Sequence, residues 1–380
     1  MSSNELPEIP VFRPDIGEAE IAAVTATLRS GWIGAGPRAA EFERRFAAYV
    51  GVPHAIATAS GTAALQAALA GLGVGPGDEI ILPSFTWVSA FQAIRACGAT
   101  PVFADIEPNY LTIDAGDVAA LVTAHTRGII AIHHGGQLAD LGALAAVARA
   151  HGLWLLDDAA HACGAMLGAR KVGALTDVTC FSFNAMKNLA VGDGGMVTTS
   201  DDELAARIRI YRSLGIDRDT FARYGLAQTQ ARWVYDVVAD GLRLHMNDIA
   251  AAIGLVQLER LDQLNAQRAH LVARYHQSVS SLPGVRAIRA RPGTQASHHM
   301  FTLCTPARDR FIELMQTRRI SIGMHYIPVH QFSIAQPFHR SLPVTEKIWR
   351  EVATLPLYPS MTVAEQARVI AAVHAVQREL

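Results

Sequence analysis

HAIATASGTAALQAALAGLGVGPGDEIILP, residues 54–83, sets an apolar strand, a small-residue helix and a second apolar strand in succession. HAIATA and EIILP are short aliphatic runs bounded by Gly, Pro or Ser, the pattern of strands buried on both faces. Between them, Thr62–Leu72 repeats its apolar residues with helical periodicity. The alternation continues through TPVFAD, GIIAI, LWLLD, VTCFSF and GMVTTS, with helical patterns over Val88–Ala96, Ala115–Val122 and Leu141–Ala150. Strands and helices in this order predict an α/β fold: a mostly parallel seven-stranded sheet flanked by helices. Ligands are expected at the carboxyl ends of such strands.

Beyond the sheet, DDELAARIRIYRS (201–213) reads as a helix that is acidic at its start and basic near its end. The irregular stretch Leu214–Asp240 is long for a loop in a compact protein, which points to a functional or interfacial role. From Met246 to about Ser281 runs one amphipathic helix, bridging to a smaller C-terminal α/β domain at about 282–380. The 380 residues exceed a comfortable single core, so two structural domains are expected.

Composition narrows the function classes. Half of the residues are hydrophobic, 18% are charged and the net charge is −1, with basic residues scattered. That distribution carries no footprint for nucleic acid or an acidic membrane surface. Cys97, Cys163, Cys180 and Cys304 are widely spaced, as reduced buried thiols would be. No basic segment followed by an apolar stretch opens the chain, and no apolar run approaches the ~20 residues of a membrane span. A cytoplasmic protein is expected.

Four features sit at successive strand ends. Lys187, in FSFNAMKNLAVGDGG, has apolar company that lowers an amine's pKa, as imine formation requires. Taken singly, such a lysine also suits a snorkelling surface position. Asp157 and Asp158 close LWLLDD, where a carboxylate either faces a ligand or caps the next helix. Ser60-Gly61-Thr62 opens a helix and offers backbone N–H groups to a phosphate, or acts as a plain cap. Trp87, in PSFTWVSA, is placed to stack on a flat ring or to fill the core. An imine lysine, an acid for a ring nitrogen, a phosphate cradle and a stacking aromatic are together the demands of pyridoxal 5′-phosphate.

The segments SGWIGAGPRAAEFERRFAAYVG, ASGTAAL, LPSFTWVSA, DDAAHACGA, FSFNAMKN, GDGG, IAAAIGLVQLERLD and SIGMHYIPVH follow one another in an order that resembles the DegT/DnrJ/StrS family of sugar aminotransferases. The resemblance runs from about Phe12 to about Ala372. It implies a fold type I pyridoxal-phosphate enzyme, with a large cofactor domain over 1–245 and a linking helix plus small domain over 246–380. By position, Lys187 would carry the cofactor as an imine, Asp158 would bind its pyridine nitrogen and His161 would lie near its phenolic oxygen. Ser60, Gly61, Thr62 and Ser182 would hold the phosphate, and Trp87 would stack on the ring. His325 would face the sugar, although a structural histidine is an equal reading. Many members have a G-x-N-x-R segment whose Asn reaches the phosphate in the neighbouring subunit. Here GLRLHMND puts Arg243 and His245 at those places, and Arg243 would take that part as a cation. Asp193 replaces the usual Glu of GDGG.

The implied reaction moves an amino group from glutamate to a keto-sugar nucleotide, 4-keto and UDP- or dTDP-linked, with pyridoxamine 5′-phosphate as the cofactor's other form. A 3-keto sugar nucleotide or a keto-cyclitol stays open as acceptor, as does a non-catalytic sensor on the same fold. The family also implies a homodimer with shared sites. The glycines at 71–77 follow a helix, the wrong context for a dinucleotide loop. His133-His134 and His298-His299 are neighbours whose side chains diverge, and Asp158, His161 and Cys163 are better explained by the lysine and phosphate motifs. No metal is expected.

Overall fold

The computed structural model describes residues 7–217 and 235–380. The central part of the Leu214–Asp240 loop lies outside the described residues. Two helices, α1 (Glu18–Ser30) and α2 (Pro37–Val50), precede a seven-stranded sheet. Its strands are β1 (His54–Thr58), β2 (Glu79–Pro83), β3 (Thr100–Ala104), β4 (Thr126–Ile132), β5 (Trp154–Asp158), β6 (Val178–Ser182) and β7 (Gly195–Thr199). They lie in the order β1-β7-β6-β5-β4-β2-β3. Only β7 runs antiparallel, pairing with β1 and β6, so the other six end at one edge.

Strand alternation divides the core between the two sheet faces. Ile56, Leu82, Ile130 and Leu156 face α3 (Gly61–Gly71), α4 (Ser89–Ala96) and α7 (Asp202–Arg212). On the opposite face, Ile81, Ile129 and Leu155 pack under α5 (Ala115–Leu121) and α6 (Leu141–His151). Ala55, Phe181 and Met196 meet Phe42 and Phe46 of α2. A single-residue offset thus assigns Leu155 and Leu156 to different cores.

Helix α8 (Asp248–Val279) is 32 residues long, and Asn247 caps it by accepting from the Ala250 N–H. At 1.5 Å per residue it spans about 48 Å. Its first half packs Ala251, Leu255 and Leu258 on the α2 face, and its second half buries Leu271, Tyr275 and Val279 in a separate cluster. That cluster closes over the antiparallel strands β8 (Arg286–Ala287), β9 (Phe301–Cys304) and β10 (Val352–Leu355). It includes residues of α9 (Arg308–Thr317) and α11 (Val363–Glu379), with α10 (Pro343–Glu351) nearby. Ile9 joins it from the other end of the chain, bridging to Ile320. Among the described residues no helix is long and apolar enough to cross a membrane.

Candidate active site

The carboxyl edge of the sheet opens on a cavity of about 440 Å³. Ser60, Gly61, Thr62, Trp87, Asp158, His161, Ser182, Lys187 and His325 all line it. Arg243 does not. It is exposed, and its backbone bridges to Ser213.

Asp157 and Asp158 take opposite faces because they are successive residues of β5. Asp158 reaches the cavity and accepts from the Ala160 N–H at 3.0 Å. Burial pushes its carboxyl up, while that N–H and the charge of Lys187 pull it down. Asp157 is sealed on the far side, with His133 Nε2 at 3.5 Å. The Ala139 N–H donates to His133 Nδ1. With Nδ1 accepting, the ring hydrogen of His133 lies on Nε2, on the side of the Asp157 carboxyl.

Lys187 stands on a loop fixed by several short bonds. Phe183 N–H donates to Gly194 O, Val191 N–H to Phe183 O, and Lys187 N–H to Asn184 O. Asn184 also donates from its side chain to Asp193. Burial lowers the Lys187 ammonium to about 8, against the opposing pull of Asp158. The free amine needed for imine chemistry is thereby accessible near neutrality.

Across the cavity, Ser60 caps α3 by accepting from the Ala63 N–H at 3.1 Å. The amides of Gly61 and Thr62 lie in the first turn, where a helix offers no internal acceptor. Thr62 Oγ1 meets Ser89 Oγ at 2.8 Å, joining the starts of α3 and α4. A Cβ on Gly61 would stand 2.7 Å from the Ser182 Cβ, so only glycine lets this turn approach β6 so closely. Hydroxyls and helix-end amides make a seat for a phosphate, with the lysine and a carboxylate in the same cavity. These residues fit pyridoxal phosphate.

Aromatic rings form a column along one wall. Phe12 stacks on His299 at 5.1 Å, His299 on His161 at 4.5 Å, and His161 on Tyr326 at 6.0 Å. Trp87, 61% exposed, follows at 5.8 Å from Tyr326, over the mouth. Gly135 N–H donates to His161 Nδ1 at 3.3 Å, and Tyr326 Oη sits 3.1 Å from His161 Nε2. Asn188 donates both amide hydrogens, to Asn265 Oδ1 and Ser297 O, which leaves its oxygen to accept from His299 Nδ1. His299 thus keeps its Nε2 lone pair. Burial, with the charge of Lys187, holds His161 and His299 well below the ordinary imidazole value and His325 at about 4. Burial, with His325, puts His134 at about 3. The wall is uncharged at neutral pH. Among the described residues no group of three or more His, Cys, Asp or Glu is disposed to hold a metal ion.

Phe12, Asn188, His299 and Tyr326 were not singled out from the sequence as site residues. In the sequence His299 stands out only as half of a histidine pair, although Asn188 and Tyr326 directly follow Lys187 and His325. Phe12 carries no local signal.

Comparison with known proteins identifies the family. Residues 14–374 match the model of the DegT/DnrJ/EryC1/StrS aminotransferase family. The spore coat polysaccharide biosynthesis protein SpsC of Bacillus subtilis (strain 168) is 38% identical, with 96% of each chain covered. The aminotransferase TlmJ from Streptoalloteichus hindustanus superposes with a TM-score of 0.90 at 36% identity, over 98% of this chain and 99% of that one. Spr1654 of Streptococcus pneumoniae, assigned as a sugar aminotransferase and solved in its PMP form, gives 0.91 at 29% identity over the same shares. The chain belongs to the DegT/DnrJ/EryC1/StrS aminotransferase family and is a pyridoxal-phosphate-dependent sugar aminotransferase.

Proposed function

We propose that the enzyme transfers the amino group of glutamate to a 4-keto sugar carried on UDP or dTDP, building an amino sugar for a surface polysaccharide or a natural product. The observation that carries the reading is the sharing of one cavity by Lys187, Asp158 and the amide-rich start of α3. The polysaccharide role named for the Bacillus subtilis relative supports the destination.

Pyridoxal phosphate, when bound, supplies a ring that draws electrons from the substrate carbon joined to it. Lys187 would hold it through its amine, and the free amine would take the proton from the donor's α-carbon and return it on the cofactor side, as general base and then acid. A proton affinity at about 8 suits both duties. Asp158 would pair with the ring nitrogen and keep its proton in place. Gly61, Thr62 and Ser182 would hold the phosphate, and Trp87 would stack on the ring. Arg243, exposed and outside its own cavity, serves the site of a second copy, so the working unit is a homodimer in the cytoplasm. His325 borders the sugar.

The purified protein should be yellow, and borohydride should fix the cofactor to Lys187, read by peptide mass. Lys187→Ala should lose amino transfer from glutamate to every member of a panel of UDP-, dTDP-, GDP- and CDP-linked 4-keto and 3-keto sugars. Wild-type turnover by that variant would overturn the mechanism, and a preference for 3-keto acceptors would overturn the substrate assignment.

A further inference from the structure

Two motif residues have no place in the mechanism above: Ser84 of LPSFTWVSA and the last histidine of SIGMHYIPVH, His330. They lie 246 residues apart and meet in the protein interior, both almost wholly buried. The His330 N–H donates to Ser84 Oγ at 3.0 Å. The serine's own hydrogen is then free to donate to His330 Nδ1, 2.7 Å away. Val329 N–H donates to Ser84 O at 2.8 Å, and Thr86 N–H donates to the same carbonyl at 3.0 Å. With Nδ1 accepting, a neutral His330 carries its hydrogen on Nε2, toward Glu346 at 3.8 Å.

This knot joins two cavity walls. Ser84 begins the turn that carries Trp87, and His330 ends the loop that carries His325 and Tyr326. Between these segments lies an apolar annex lined by Trp87, Met324, Tyr326, Ile327 and Phe332. Tyr326, in turn, is the hydrogen-bond partner of His161.

We propose that Ser84 and His330 are positioning residues for transamination, a clasp that ties the Trp87 turn to the Tyr326 loop and so holds the Tyr326 hydroxyl on His161. The proposal rests on the aminotransferase reading. A clasp acting through Tyr326 makes His330 and Tyr326 energetically coupled.

The test is a double-variant cycle on the holoenzyme with His330→Ala, Tyr326→Phe and their combination. His330→Asn, whose amide oxygen can still accept from Ser84, is the conservative partner, and Ser84→Ala is the variant to use if His330→Ala fails to fold. Two quantities are read: kcat and KM for the half-reaction with L-glutamate, and the pH midpoint of the bound cofactor's visible absorbance. His330→Ala and Tyr326→Phe should each lower kcat by about tenfold with little change in KM. Both should move the absorbance midpoint in the same direction. The double variant should be no worse than the weaker single, and His330→Asn should recover most of the loss. Multiplied effects in the double variant, or an unmoved midpoint in His330→Ala, would overturn the clasp. A wild-type enzyme inert toward glutamate would refute the donor assignment alone, because the absorbance titration still decides the clasp.

Discussion

The ammonium of Lys187 gives up its proton at about 8 rather than near 10.5, because burial penalises the charge and Asp158 only partly restores it. Two outcomes belong to this one residue. In cofactor-free protein, the rate of imine formation with added pyridoxal phosphate should rise with pH to half its maximum near 8. Stopped-flow absorbance measures it, and a midpoint near 10 would mean a solvated amine. The sign for stability follows from proton counting. Between about 8 and 10.5 the unfolded chain still holds a proton that the folded chain has released. Cofactor-free protein therefore gains stability as pH rises through that window, and Lys187→Met should flatten the gain in urea melts. Sequence made Lys187 and Asp158 visible because each ends a recognisable strand or follows one. It did not reveal the tautomers of His161 and His299. Those depend on Gly135, Asn188, Asn265 and Ser297, groups distant along the chain with no local pattern linking them.

Helices α2 and α7 are tied to β1 through one carboxylate. Glu43 takes Arg212 Nη1 and, at 2.9 Å, Arg209 Nη1, and also accepts the Ala57 N–H at 2.8 Å. Burial alone would push the Glu43 carboxyl up, but the two guanidiniums and the N–H hold it below the usual range. Its contribution is present above the ordinary carboxylate value and is lost as pH falls through the lowered one. Glu43→Gln removes the carboxylate that Arg209 and Arg212 share and should cost about 3 kcal/mol at pH 7. Its stability should also fall less steeply in acid than that of the wild type, as read by denaturant melts at pH 3 to 7. An unchanged midpoint would show the tie to be idle. The elements of the large sheet were legible. Aliphatic runs such as EIILP and LWLLD are too short for helices and are bounded by turn residues, and Asp201 and Asn247 cap the helices that follow them. The reversal of β7 was not legible. GMVTTS is a short run with no residue that marks its direction, and that direction is set by the hairpin-like loop that carries Lys187.

At the scale of the molecule, the C-terminal cluster borrows a residue from the other end of the chain. Ile9 exchanges backbone bonds with Arg319 and Ser321, Val11 accepts from the Leu357 N–H, and three residues after Ile9 the Phe12 ring reaches the cavity. Ile9→Ala should cost about 2–4 kcal/mol in chemical denaturation while leaving the absorbance of bound cofactor unchanged. A loss under 0.5 kcal/mol would mean that the segment merely rests on the surface. This attachment has a consequence for biosynthesis. The partner of Ile9 is made more than three hundred residues later, at Ile320. During translation, the seven-stranded sheet can assemble as soon as β7 leaves the ribosome, but the first segment must wait, unpaired, for almost the whole polypeptide. Closure of the C-terminal cluster, and with it delivery of Phe12 to the catalytic pocket, is then a late event. A nascent chain arrested before Ile320 would hold a finished sheet and an unfinished active site.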